Sequence, residues 1–199
     1  PEESKTHEQS NAGRGANLKL AKYYEATREL SRQLSEWSMN LNEEDQKYVV
    51  CSGGGPGIMK AANRGANDSG AKSVALGISL PFENEPNSYV SSELNFEFHY
   101  FFTRKFWFSY LSEAFVIMPG GFGTLDEFFE ILTLIQTGKI KKDLPIVLFG
   151  KDYWASLINF ETLVDYGVID KKDLDLFFIT SSVEEAYKHL TSKLSLKSG

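Results

Sequence analysis

The residues best suited to chemistry form one run, Pro119-Gly120-Gly121-Phe122-Gly123-Thr124-Leu125-Asp126-Glu127, which follows directly on the apolar stretch Val116-Ile117-Met118. A helix is expected from Thr124, so the run turns from a strand end into a helix N-terminus. Glycines in such a turn let backbone N–H groups approach an anion without Cβ obstruction, and the helix end adds partial positive charge. Gly120, Gly121, Gly123 and Thr124, with Phe122 among them, thus form a nest of phosphate size. The competing reading is a tight turn whose glycines serve only backbone geometry; three glycines together with Thr124 weigh towards the anion site. A second turn, Gly53-Gly54-Gly55-Pro56-Gly57, is similar. There, close chain packing explains Gly54 and Gly55 as well as ligand contact does.

Glu127 has two readings. Thr124-Leu125-Asp126-Glu127 fits a capping box, in which Thr caps the helix and the Glu three residues on returns to the cap N–H. A carboxylate in the first helical turn is also suited to chemistry, because the dipole keeps it ionised. Upstream lies the densest aromatic stretch of the chain, Phe96 to Phe108, which contains Arg104 and Lys105. With a helix starting near Thr103, these two cations sit at its positive end, where each is disfavoured by up to about 1 kcal/mol unless an anion compensates. Glu127, a ligand phosphate or an unrelated acid would serve, and the planar fork of Arg104 suits a carboxylate or phosphate. Phe102, Phe106 and Tyr110 share a helical face and are expected to fill the core and a subunit interface.

These residues need a scaffold, and 199 residues, 42% hydrophobic and 24% charged, suffice for one globular domain with a full core. Residues 1–16 are polar and read as a loop or disordered arm, 17–194 as a single domain, and 195–199 as a flexible tail. From Leu18, apolar positions including Leu20, Tyr24, Thr27, Leu30, Leu34, Trp37 and Leu41 recur at helical spacing. Strands are expected over Tyr48–Cys51, Val74–Leu80, Ala114–Met118 and Pro145–Phe149. Helices are expected from Ile58 towards Asn67, with Pro56 in the first turn, and over Thr103–Ser112, Thr124–Thr137, Tyr153–Tyr166 and Val183–Leu194. This alternation predicts an α/β protein with a Rossmann-like, doubly wound, mostly parallel sheet and helices on both faces.

A net charge of −6 and the lack of a basic stripe exclude nucleic acid as the expected partner. The apolar runs are too short to span a bilayer and the first residues do not resemble a signal sequence, so a soluble cytoplasmic protein is expected, with no membrane partner. His7, His99 and His189 lack metal-ligand spacing, and neither a metal nor a cofactor is expected. Pyridoxal-phosphate chemistry would need a Schiff-base lysine, and no lysine is marked out by its surroundings. The single cysteine, Cys51, ends an apolar strand and reads as a small buried hydrophobe rather than a nucleophile.

The run from Pro119 to Glu127 matches the P-G-G-x-G-T-x-x-E signature of the Lonely Guy (LOG) phosphoribohydrolases, and Arg104-Lys105 stands where that family has an Arg-Lys pair. Gly53 to Met59 also resembles the family's glycine turn, and the similarity extends from about Tyr48 to Gly167. Many such sequences carry the label "possible lysine decarboxylase", which the family's chemistry does not support. The resemblance implies a nucleotide-binding Rossmann-like domain that hydrolyses the N-glycosidic bond of a nucleoside 5′-monophosphate, AMP or a cytokinin ribotide, to free base and ribose 5-phosphate. It implies Arg104 and Glu127 as the catalytic pair and a phosphate held by the turn from Gly121 to Thr124. Lys105, Thr133 and Glu83 are implied as ligand contacts, and the assembly as a homodimer or larger homo-oligomer. Family members begin with an apolar strand near the middle of the sheet, whereas nothing apolar precedes Leu18 here. A lost or unnumbered preceding segment is therefore expected.

Overall fold

The computed structural model describes residues 2–41, 47–79 and 87–196, with side chains from residue 19 onward. Its elements in chain order are α1 (Glu2–Met39), β1 (Val50–Ser52), α2 (Ile58–Asp68), β2 (Ser73–Ile78), β3 (Asn95–Phe98), α3 (Phe101–Leu111), β4 (Phe115–Ile117), α4 (Phe122–Gln136), β5 (Ile146–Phe149), α5 (Lys151–Leu157), α6 (Phe160–Asp165), β6 (Phe178–Thr180) and α7 (Val183–Ser195). Every strand pair among the described residues is parallel. The ladders form two three-stranded sheets, β1-β2-β3 and β4-β5-β6, rather than one continuous sheet. Ile78 with Phe98, and Ile117 with Leu148 one residue before the end of β5, bring the carboxyl ends of neighbouring strands level or nearly so. The loops that leave those ends are where open α/β sheets bind ligands.

All four residues of β5 are buried, as a strand covered on both faces must be. Val147 and Phe149 join Tyr23 and Leu30 of α1 and Ala186 and Leu190 of α7 in one core. Ile146 and Leu148 point the other way, to Ile117, Trp154 and the α4 residues Phe128 and Ile131. Beside β1, α1 and α2 approach closely. Gly65 permits this, since an added Cβ would strike the Arg28 carbonyl, and Ser31 Oγ donates to the Ala62 carbonyl at 2.5 Å.

Several elements differ from the sequence expectation. The polar stretch 2–16, expected as an arm, is helical as the start of α1. Its Glu, Lys and Gln residues favour helix, and extending an existing helix avoids the cost of nucleation. Pro56 lies outside α2, whose N-cap is Gly57. The single helix expected over Tyr153–Tyr166 is two: Ile158 is extended, and the side chain of Asn159 accepts from the Thr162 N–H, starting α6. Strands β3, inside the aromatic stretch, and β6 are not among the strands the sequence predicts. Leu80, expected to end a strand, lies outside the described residues, as do 197–199 of the expected tail. Among the described residues no helix is long and apolar enough to cross a membrane.

Candidate active site

Helix α4 begins two residues earlier than its sequence suggests. Gly121 is the N-cap and Phe122 the first helical residue, so Thr124 lies inside the first turn and cannot cap it. The capping box is therefore not formed, and the Glu127 carboxylate accepts instead from Arg104. Gly120 is glycine for a packing reason, since a Cβ there would collide with the Thr124 side chain. No such reason applies to Gly121 or Gly123. A Cβ on either meets nothing within 4 Å, and neither has a positive φ. Both are exposed, as is Phe122 between them.

Arg104 is the fourth residue of α3, a helix that starts at Phe101. Its Nε donates to the Leu76 carbonyl within β2 over 2.7 Å, and its Nη1 donates to Glu127 Oε1 over 2.9 Å. The guanidinium lies 4.9 Å from the centre of the Phe108 ring. Gly53 closes the other side, where an added Cβ would come within 2.6 Å of Nη2. Both glycine turns thus converge on one ion pair: the first packs on Arg104, and the second lies one helical turn before Glu127. The Arg104 side chain is 13% exposed and that of Glu127 33%. Burial pushes the Glu127 carboxyl above the ordinary range, and the charge and hydrogen bond of Arg104 oppose that rise. The result is a carboxylate that solvent can reach and whose rise a fixed cation limits.

Lys105 faces other acids. It pairs with Asp126 at 3.0 Å and Glu130 at 2.9 Å, and hydrogen bonds to Glu130 and then Asp126 raise its pKa. With Thr133, Phe122 and Phe129 it lines an open groove of about 590 Å³ beside α4. The Thr133 hydroxyl donates to the Phe129 carbonyl. The first glycine turn is held by its own chain. The Gly54 N–H donates to Ser52 Oγ, and the Gly54 carbonyl accepts from both the backbone N–H and Nδ2 of Asn87. Gly54 has φ +74°, which favours glycine there, and a Cβ on Gly55 would press on Met59. Glu83 lies outside the described residues.

The site also corrects two expectations. Cys51 is exposed on β1 rather than packed in the core. The residue is accessible, yet its thiol sits close enough to the Arg104–Glu127 pair and the surrounding chain to be desolvated, which pushes it up to about 12 with Arg104 opposing and Glu127 adding, so it stays protonated at neutral pH. Phe102, Phe106 and Tyr110 do not fill the core; all three are exposed. Sequence reasoning also missed the Leu76 carbonyl, Phe108 and Glu130. Glu130 had a signal, since it follows Asp126 by four residues and so shares its helical face. The other two depend on the tertiary position of α3 and had none.

A family model described as "Possible lysine decarboxylase" matches residues 59–190. The chain belongs to that family. Among its curated relatives is the probable cytokinin riboside 5′-monophosphate phosphoribohydrolase LOG4 of Oryza sativa subsp. japonica, 28% identical over 170 residues that cover 83% of this chain and 68% of that protein. The cytokinin riboside 5′-monophosphate phosphoribohydrolase LOG3 of Arabidopsis thaliana is 26% identical over 176 residues, covering 86% and 76%. These matches place the chain with the LOG relatives that its motifs resemble. Among solved structures, TM1055 superposes with a TM-score of 0.59 at 21% identity over 87% of this chain and 89% of that one. A molybdenum cofactor carrier protein from Chlamydomonas reinhardtii gives 0.57 at 18% identity over 85% and 86%. Both likenesses establish the fold.

Proposed function

We propose that this protein hydrolyses the N-glycosidic bond of a nucleoside 5′-monophosphate, AMP or a cytokinin ribotide, releasing the free base and ribose 5-phosphate. The observation that carries this reading is the Arg104–Glu127 ion pair at the meeting point of two glycine turns. Breaking the C1′–N bond builds oxocarbenium character on the sugar and negative charge on the base. The Glu127 carboxylate opposes the first charge and takes a proton from the water whose oxygen bonds to C1′. That proton's equivalent leaves on the base nitrogen, and the hydroxyl stays on C1′. Arg104 favours the ionised form of Glu127 and aims it.

The 5′-phosphate is assigned to the N–H groups from Gly121 to Thr124. The open space over Gly121 and Gly123, where a Cβ on either would meet nothing within 4 Å, supports this assignment. Lys105, Thr133, Gly54, Gly55 and Glu83 complete the proposed ligand contacts. Decarboxylation through a lysine Schiff base is disfavoured at Lys105, because such a nucleophile needs a lowered pKa and this one is raised. We assign the protein to the cytoplasm, as a homo-oligomer.

The second reading is a nucleotide-binding or carrier protein without chemistry. The fold is shared with a molybdenum cofactor carrier, so fold alone does not choose between the two. A carrier has no need of a carboxylate held by an anchored arginine beside the phosphate turn. Incubating the protein with AMP and assaying free adenine decides: adenine release in proportion to enzyme supports the hydrolase, and binding of AMP with no adenine supports the carrier.

A further inference from the structure

The turn from Pro119 to Gly121 is held from the side by a residue outside every motif considered above. Strands β4 and β5 are parallel neighbours with nearly level carboxyl ends, so the loops that leave them run side by side. At the end of β5, Gly150 takes φ +102°, and an added Cβ would lie 3.2 Å from Pro119. This tight turn starts α5 against the glycine turn and brings its third residue, Tyr153, over Gly120. The Tyr153 hydroxyl donates to the Gly120 carbonyl at 2.5 Å. Its ring packs edge-on against Trp154, 5.1 Å between centres, and Trp154 is itself buried and donates Nε1–H to the Phe149 carbonyl. The phenol is therefore fixed by the core of the sheet.

We propose that Tyr153 is the positioning residue of the phosphate turn: by holding the Gly120 carbonyl, it aims the Gly121 N–H at the anion. The Gly120–Gly121 peptide is planar and trans, so its C=O and N–H point in opposite directions. Fixing the oxygen towards α5 fixes the hydrogen towards the opening in front of α4. That lock matters here because Gly120 and Gly121 flank the peptide and glycine places little restraint on its rotation. On the other side of the same turn, the Thr124 side chain packs on the Gly120 Cα. Gly120 is thus held by a side chain from each of two helices, while the Cβ positions of Gly121 and Gly123 stay open.

This inference rests on the turn reading phosphate, and the test separates the two ideas. Calorimetric titration with AMP and with adenosine is carried out on the parent and on Tyr153→Phe, which keeps the ring and removes only the hydroxyl. The parent is expected to favour AMP, and Tyr153→Phe to lose about tenfold of that preference, the size of one hydrogen bond's contribution, with adenosine affinity unchanged. A merely structural role would weaken both ligands alike and leave their ratio intact. A parent that prefers AMP beside a Tyr153→Phe variant with the same ratio overturns the role of Tyr153 alone. A parent that binds both ligands equally overturns the phosphate reading of the turn, and the role of Tyr153 with it.

Discussion

Arg104 and Glu127 meet across two helices, Nη1 to Oε1 at 2.9 Å, while the same guanidinium is anchored through Nε to the Leu76 carbonyl 2.7 Å away. The anchor makes the relationship directional. Arg104 is fixed by β2 and by the glycine turn over it, so it sets the position of Glu127. A carboxylate aimed by a strand-anchored cation and still one-third exposed differs from a surface salt bridge, where two flexible chains share one geometry at little net gain.

If Glu127 carries the chemistry, Glu127→Gln should reduce adenine release from AMP by roughly 10²- to 10⁴-fold, the usual range for a positioned acid or base. AMP affinity should hold, because the amide keeps the shape and the phosphate turn is untouched. Near-normal turnover by this variant, beside an active parent, removes Glu127 from the mechanism.

The pH dependence has a definite sign. Burial raises the Glu127 pKa, so on the acid side kcat/KM should fall at a pH above the ordinary glutamate range. Arg104 opposes the rise, and Arg104→Ala should move the acid limb further up as well as lower the rate. For stability, an acid with a raised folded pKa contributes fully below its unfolded pKa, and that contribution is lost as pH rises through the folded one. As pH rises above the ordinary glutamate pKa of about 4, melting temperatures of the parent and Glu127→Gln should therefore shift in the variant's favour. A constant difference across that rise would contradict the assigned burial.

The glycines of the α4 turn should separate by substitution. Gly120→Ala must displace the Thr124 side chain and should lower the melting temperature together with AMP binding. Gly121→Ala places its methyl in open space, so the fold should be preserved while affinity for AMP drops and affinity for adenosine does not. Calorimetry and thermal melts on both variants check this. Full AMP binding by Gly121→Ala would show that the space above the turn is not the phosphate site.

Much of this site could be read from residue order. Val116 to Glu127 announces a strand, a turn and a helix, and Arg104 announces a cation in need of an acid. The pairing of the two stands in the sequence only as one alternative, because the capping box offers Glu127 a local partner three residues away. The structure starts α4 at Phe122, which takes Thr124 out of the capping position. Local pattern could not decide between a cap and a contact with α3, since that depends on where two separate elements pack. The same limit explains β3: Asn95-Phe96-Glu97-Phe98 alternates as a strand should, yet the aromatic run around it reads equally well as helix. The missed break at Asn159 is different, since an Asn at an N-cap is a signal present in the sequence itself.

The aromatic face of α3 leads to the last expectation. Phe102, Phe106 and Tyr110 lie on one side of the helix, 72%, 57% and 65% exposed, and Phe106 stacks on Tyr110 with ring centres 5.5 Å apart. Trp107, Tyr100, Phe101 and Leu111 are also exposed and extend this surface along the helix that carries Arg104. Leaving so many rings in water is costly, at about 25 cal/mol for each Å² of apolar surface, and burying them in a symmetric contact removes that cost. A homodimer or larger assembly is expected at micromolar concentration. Phe106→Glu should dissociate it, because two introduced carboxylates would be desolvated near each other across a two-fold contact. Light scattering on the parent and the variant measures the outcome. A parent that is monomeric throughout the micromolar range would mean that another partner, or none, covers this face.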